Sequence, residues 1–279
     1  MAATEHSGSG DLSRSMALLW GMEERAKRGP KPGISVTRIV DTAIRIADAE
    51  GLDAVSMRKI AGCLGVGTMS LYRHVPGKAE LIDLMLDGVG PVEPEDAALF
   101  RNWTWRERLH RLAQGFWQHY LAHPWLLHVD QARPVLGPNG LDGFELALSG
   151  FDDLPLTDQE KVGFVTAVDA TAAGLARTHV NARLAEERTG ISDREFWEAQ
   201  SPALESAMAS GRYPRIAQLD ENAFSGLDEE AFMFAIDRML DGLEALLDHR
   251  RETGWTPPPP TWQACEAGDG PEQRGEKPA

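Results

Sequence analysis

Cysteine is scarce: the 279 residues hold two, Cys63 and Cys265, far apart and in unlike surroundings. A disulfide framework and a structural zinc site built on Cys ligands are thereby excluded, and a reducing compartment fits. Long apolar runs are missing too. No stretch of about eighteen consecutive apolar residues occurs, so no membrane-spanning helix is expected. The first residues lack the basic, then apolar, then small-residue pattern of a secretory signal. The expectation is a soluble, cytoplasmic protein with no membrane partner. Alternating β-branched runs and fixed-period repeats are likewise absent, which leaves an all-α chain. Positive charge is in short supply, with 28 Lys and Arg facing 43 Asp and Glu for a net charge of −15. As an average, that balance opposes phosphate binding, which rests on Lys and Arg.

The average conceals a segregation. Residues 25–78 hold ten Lys or Arg against four Asp or Glu, whereas residues 91–279 hold 17 against 32. A basic N-terminal third on an acidic body is the charge pattern of a nucleic-acid-binding module attached to a second unit. Four segments are expected. Residues 1–33, with "HSGSGD" and "RAKRGPKPG", read as a flexible basic arm, interrupted by "MALLWGM", which packs on the body or forms a short helical turn. Residues 34–90 form the basic module and residues 91–253 the acidic helical body. Residues 254–279, beginning with "GWTPPPPTW", read as a disordered tail.

In the basic module, Ser35 is placed to cap a first helix whose Ile39, Ala43, Ile46 and Ala47 recur at helical spacing until Gly51. Ser56 is placed to cap a second, with Met57, Ile60, Ala61 and Leu64 on one face and Gly65 as a left-handed terminator. After a Val66-Gly67 turn, a third helix is expected over 68–75 and a fourth over 78–89. Two short helices about a tight Gly turn form a helix-turn-helix pattern. On the third helix, Thr68, Leu71, Tyr72 and Val75 share one side, and Met69, Ser70, Arg73 and His74 the other. The second group has the chemistry of base readout: Arg for guanine O6 and N7, Met for a thymine methyl, Ser for bases or phosphates. Arg58 would point into the same groove, and Lys78 would hold a phosphate at the start of the fourth helix. The competing reading is a solvated amphipathic helix in an α-bundle. For the arm, Arg25, Lys27, Arg28 and Lys31 either enter a minor groove or belong to a solvated tail that raises nonspecific affinity.

"SMRKIAGCLGVGTMSLYRHVPGKAELIDLM", with "TRIVDTAIRIADAEGLDAVS" before it, closely resembles the DNA-binding domain of the tetracycline-repressor (TetR) family of bacterial regulators. The match covers residues 34–90. "ALLWG" and "RGPKPG" in the arm resemble an actinobacterial subset. The resemblance implies a homodimer that binds a partly palindromic double-stranded operator, usually as a repressor, and is released by a small-molecule effector held in a variable C-terminal bundle. It further implies that Arg58 and Thr68 to Ser70 read or border bases while Ser56, Tyr72, His74 and Lys78 hold phosphates. Arg73 falls where the family varies. The fold class expected is all-α, a three-helix helix-turn-helix domain joined to a larger helical ligand-binding and dimerisation domain. The chemistry is binding only, with no cofactor.

The body is expected to carry helices over 105–122, 142–148, 158–187, 193–210 and 228–251. Two apolar stripes, one through Val162, Val165, Asp169, Ala172, Ala173, Ala176 and Val180 and one through Phe232, Ile236, Met239, Leu240, Leu243 and Leu247, suit either a four-helix dimer seam or intrachain core. The seam is the reading adopted for Ile236, Leu240, Leu243 and Leu247. Trp103, Trp105, Phe116, Trp117, Tyr120, Trp125 and Phe144 concentrate aromatic surface where a bulky, mostly apolar ligand would sit. Trp117, His119, Tyr120, Trp125, Phe144 and Asp169 are the effector contacts expected. Asp169 needs a partner, as an interhelical hydrogen bonder or an effector anchor. His119 and His123 stand at the spacing by which one helix presents two imidazoles, so a metal-dependent helical enzyme is the rival reading, with effector hydrogen bonding as the other use of the pair.

Overall fold

Ser35, Ser56 and the glycines that close their two helices set the frame of the N-terminal domain. The computed structural model describes residues 5–22, 34–90, 98, 100, 102–220, 223 and 228–258. Helix α2, Val36–Glu50, starts where the Ser35 side chain accepts from the Arg38 amide and stops at Gly51, whose φ of 84° a side chain would strain. Helix α3, Met57–Leu64, is capped by Ser56, which accepts from the Lys59 amide, and is closed by Gly65 in the left-handed region. Helix α4, Thr68–Tyr72, is one residue triplet shorter than expected, yet Leu71 and Val75 are both fully buried. Helix α5, Lys78–Gly88, closes the domain, and Ile39, Ala43, Ile60, Leu71, Leu81 and Ile82 meet in its core.

The N-terminal segment corrects the expectation of a flexible arm across 1–33. Residues Glu5–His6 form strand β1, paired in parallel with β2, Val129–Asp130, and Leu12–Leu19 form helix α1, capped by Asp11. The cause is polar as well as apolar. Two acids of α5 lie buried, and the segment satisfies them: Ser7 Oγ, the Gly8 amide and Ser15 Oγ donate to Asp83, and the Asp11 amide donates to Glu80. Among the described residues, the expected absence of strands fails by this one two-residue pair. Residues 23–33, with Arg25, Lys27, Arg28 and Lys31, lie outside the described residues.

The body is a helical bundle. Helix α6, Trp105–Ala122, begins with a Thr104/Glu107 capping box and ends before a 3-10 turn over Pro124–His128. Helix α7 is Pro138–Ser149, and α8, Asp158–Thr189, starts with a second capping box at Thr157/Glu160. Helix α9, Asp193–Ala209, and helix α10, Glu229–Thr253, complete the order. α6 packs on both α8 and α10. At their junction Trp117 stacks on Phe232 with ring centroids 5.1 Å apart. Residues 259–279 lie outside the described residues, but the start of the expected tail is packed: the Arg250 guanidinium lies 3.8 Å above the Trp255 ring.

Candidate DNA-binding face and ligand cavity

Helix α4 is held by Leu71 and Val75, which leaves its other face to solvent. Met69 is 74% exposed and Tyr72 44%, and Arg58 and Arg73 are exposed beside them. Tyr72 therefore does not anchor the helix, as its assignment to the inner side required; it stands at the rim, where its assignment to phosphate would place it. Arg73 donates to Ser70 Oγ at 3.3 Å, which pre-orders a guanidinium and a hydroxyl on one surface. Thr68, Ser70 and His74 are half-buried. Ser56 accepts from its own helix as cap, which leaves its O–H free to donate. Lys59 is paired with Glu50 at the end of α2. Lys78 is engaged by Glu5, with Nζ 2.9 Å from the carboxylate. Arg28 and Lys31 fall on residues outside those described.

A cavity of about 800 Å³ lies between α6, α7, α8 and the end of α5. Phe100, Trp103, Phe116 and Phe144 line it together with Leu86, Val89 and Val165. Its polar groups converge from two helices. Tyr120 of α6 donates to Asp169 of α8 at 2.9 Å, and Arg177, eight residues along the same helix, donates to the Leu127 carbonyl. Burial raises the Asp169 pKa against the opposing pull of the Tyr120 hydroxyl, and burial together with the Asp169 charge pushes the Tyr120 hydroxyl up. Burial, helped by nearby His123, drives the His119 imidazole down to about 4, so it lines the cavity as a neutral ring.

Among the expected effector contacts, His119, Tyr120, Phe144 and Asp169 line this cavity, and Trp117 and Trp125 do not. Trp117 is buried against Phe232 in the α6–α10 core. Trp125 is buried at the domain boundary, where its indole N–H donates to Asp48 of α2 at 2.9 Å. Arg177, Asn139 and Gln131 were missed. Arg177 carried a weak signal, since it lies about 80° from position 169 at the edge of the same stripe; Gln131 and Asn139, in and beside a loop, carried none.

Two family signatures match the chain, that of the bacterial regulatory proteins of the tetR family over residues 39–85 and that of the tetracyclin repressor-like C-terminal domain over residues 101–247. The HTH-type transcriptional repressor DrrR1 of Streptomyces coeruleorubidus is 49% identical over 249 residues, covering 89% of this chain and 92% of that protein. This chain belongs to the tetracycline-repressor family. Solved structures agree. Apo ActR of Streptomyces coelicolor superposes with a TM-score of 0.59 at 27% identity, over 77% of this chain and 97% of that one. ActR in complex with actinorhodin gives 0.51 at 26% identity, over 77% and 98%.

A tetracycline-repressor family protein is a transcriptional regulator and not an enzyme. The metal-dependent reading of the His pair falls with that. The two rings meet edge-on, 5.4 Å apart, and His123 Nδ1 is bonded to Asp48. The expected seam also needs correction in this regulator. Ile236, Leu240, Leu243 and Leu247 are 0%, 0%, 7% and 0% exposed within a single chain. They are the face of α10 that covers α6 and α8, and so cannot meet a second copy. Val165, Ala172, Ala176 and Val180 of α8 are buried in the same way. Outward on α8 lie Gly163, Ala167, Ala170 and Gly174, and outward on α10 lie Phe234, 64% exposed, and Leu246. No helix among the described residues is long and apolar enough to cross a membrane.

Proposed function

We propose that this regulator is a cytoplasmic repressor that binds a partly palindromic operator as a homodimer, one α3–turn–α4 unit per subunit, and leaves it when a bulky, mostly apolar small molecule enters the cavity. The observation that carries the reading is the pairing on one chain of an exposed Arg58, Met69 and Arg73 face with an aromatic-lined cavity about 800 Å³ in volume. Volume and lining match a ligand of drug size. ActR, solved with actinorhodin, supports a small-molecule effector, and the aromatic lining of this cavity favours an aromatic one. The wall groups divide the recognition. Phe100, Trp103, Phe116 and Phe144 offer stacking and apolar contact, Asp169 and the neutral His119 accept or donate at one end, and Arg177 adds a positive charge.

Base reading falls to Arg58, Thr68, Met69, Ser70 and Arg73, and phosphate holding to Ser56, Tyr72, His74 and Lys78, with Arg28 and Lys31 reaching a minor groove. The small and apolar outward faces of α8 and α10 make the two-fold contact, since small residues permit close helix approach. Effector occupancy acts by its differential affinity for the DNA-competent arrangement of the two subunits. Mapping the bound DNA genome-wide yields the operator. Titrating actinorhodin, and then the products of genes adjoining the operator, against the protein–operator complex tests release. Binding to operator that no aromatic compound reverses, together with a cavity that takes up none of them, would sink the effector half of the reading.

A further inference from the structure

Lys78 is the first residue of α5, and its ammonium is held 2.9 Å from the Glu5 carboxylate. Exposed ion pairs are weak because two long side chains must be ordered to make them. Here much of that ordering is already supplied by the backbone. Glu5 stands in register with Val129 in the β1–β2 pair, and the Ser7 amide donates to the Asp130 carbonyl. Immediately beyond, Ser7 and Gly8 are fixed to Asp83, and Asp11 to Glu80. Gly10 passes so close to α5 that a Cβ there would collide with the Glu80 carboxylate. The negative charge is thus positioned from both sides, against a cation at the positive end of a helix.

We propose that residues 5–22 are an autoinhibitory clasp, in which the Glu5 carboxylate occupies Lys78 in place of a DNA phosphate. The inference rests on the DNA-binding reading above. Glu5 takes one of the three Lys78 donors and offsets its charge, so a phosphate must compete with it, and the clasp sets a threshold on binding to any duplex. Its anchor, Val129, is itself part of the cavity wall, which puts the threshold within reach of whatever the cavity holds.

The test needs no known operator. Binding of wild type, Glu5→Gln, Lys78→Ala and the double variant to a labelled duplex of random sequence is followed by fluorescence anisotropy over a range of salt. Glu5→Gln is expected to bind about three- to tenfold tighter, with a log–log salt slope steeper by up to about 0.9 per subunit. Removal of residues 1–6 should do the same while Ser7 and Ser15 still satisfy Asp83. In the Lys78→Ala background Glu5→Gln should have no effect. Equal affinity and slope for wild type and Glu5→Gln would overturn the clasp, and so would a gain that persists without Lys78, which would be bulk charge alone. A wild-type protein that binds no duplex even at low salt would instead overturn the DNA-binding reading, and the clasp with it.

Discussion

Asp48 of α2 and His123 at the end of α6 join the two domains: the Asp48 carboxylate accepts from His123 Nδ1 at 2.8 Å and from the Trp125 indole at 2.9 Å on the same oxygen. His123 in turn meets the ring of His119, which lines the cavity. A path of direct contacts therefore runs from the ligand space to the first long helix of the DNA-binding domain.

Asp48→Ala should loosen that joint. It removes two hydrogen bonds to a charged acceptor and leaves a buried indole N–H without its partner, at a cost of about 2 to 4 kcal/mol. Denaturant unfolding measures the loss. A second readout is the fold-change in operator affinity on adding effector, which should shrink in the variant. If stability and coupling both match wild type, the joint is ornamental.

His119 links stability to pH. Its folded pKa of about 4 lies below the usual 6.5, so between those values the unfolded chain binds the proton and the folded one does not. Stability should then fall as pH drops from about 6.5 towards 4, by roughly 3 kcal/mol at the limit. Asp169, with its raised pKa, works in the opposite direction, losing stability as pH rises through its folded value. The difference between wild type and His119→Gln isolates the imidazole. Parallel pH profiles for the two proteins would contradict its assignment as a buried neutral ring.

On the DNA face, Arg58→Ala and Ser70→Ala should weaken operator binding and blur base preference, by about 1 to 3 kcal/mol for a lost bidentate contact. Competition gel shifts against operator variants report both quantities. A uniform loss over all sequences would move these residues from base reading to phosphate holding.

Leu243→Ala should destabilise the single chain by about 2 to 5 kcal/mol, because Leu243 is core. Phe234→Glu, on the outward face, should leave the chain folded and shift light scattering towards monomer, with operator affinity reduced as the second half-site contact is lost. A stable Phe234→Glu dimer would place the two-fold contact elsewhere.

Local signals were legible and partner choice was not. Ser35, Ser56, Gly51 and Gly65 bound the helices as read, because caps and terminators act within a few residues. The stripe through Leu243 was seen correctly but matched to the wrong neighbour, since periodicity reveals that a face is covered and not by which chain. Phe116 and Trp117 show the same limit inside the cavity region. They are adjacent in sequence, about 100° apart on α6, and only one meets the ligand space. Within residues 5–22 the apolar "MALLWGM" announced its packing, and α1 with Leu18 and Leu19 against the core meets that expectation; the strand and the polar anchors were hidden, because their partners Asp83 and Glu80 are acids that a helix surface usually shows to solvent.

The Arg250–Glu160 pair has a mechanical meaning. Arg250 grips both Glu160 oxygens, at 2.6 and 2.9 Å, and the Pro155 carbonyl, while Trp255 lies against its guanidinium. That grip, which also holds the Glu160 carboxyl down at about 2, fastens the start of α8 to the end of α10. The residue of α10 nearest the other end, Glu229, receives a bond from Gln118 of α6, about 30 Å away along the helix. The two ends of α10 are thus fastened unequally: a bidentate ion pair covered by an indole at one, and a single exposed amide–carboxylate hydrogen bond at the other.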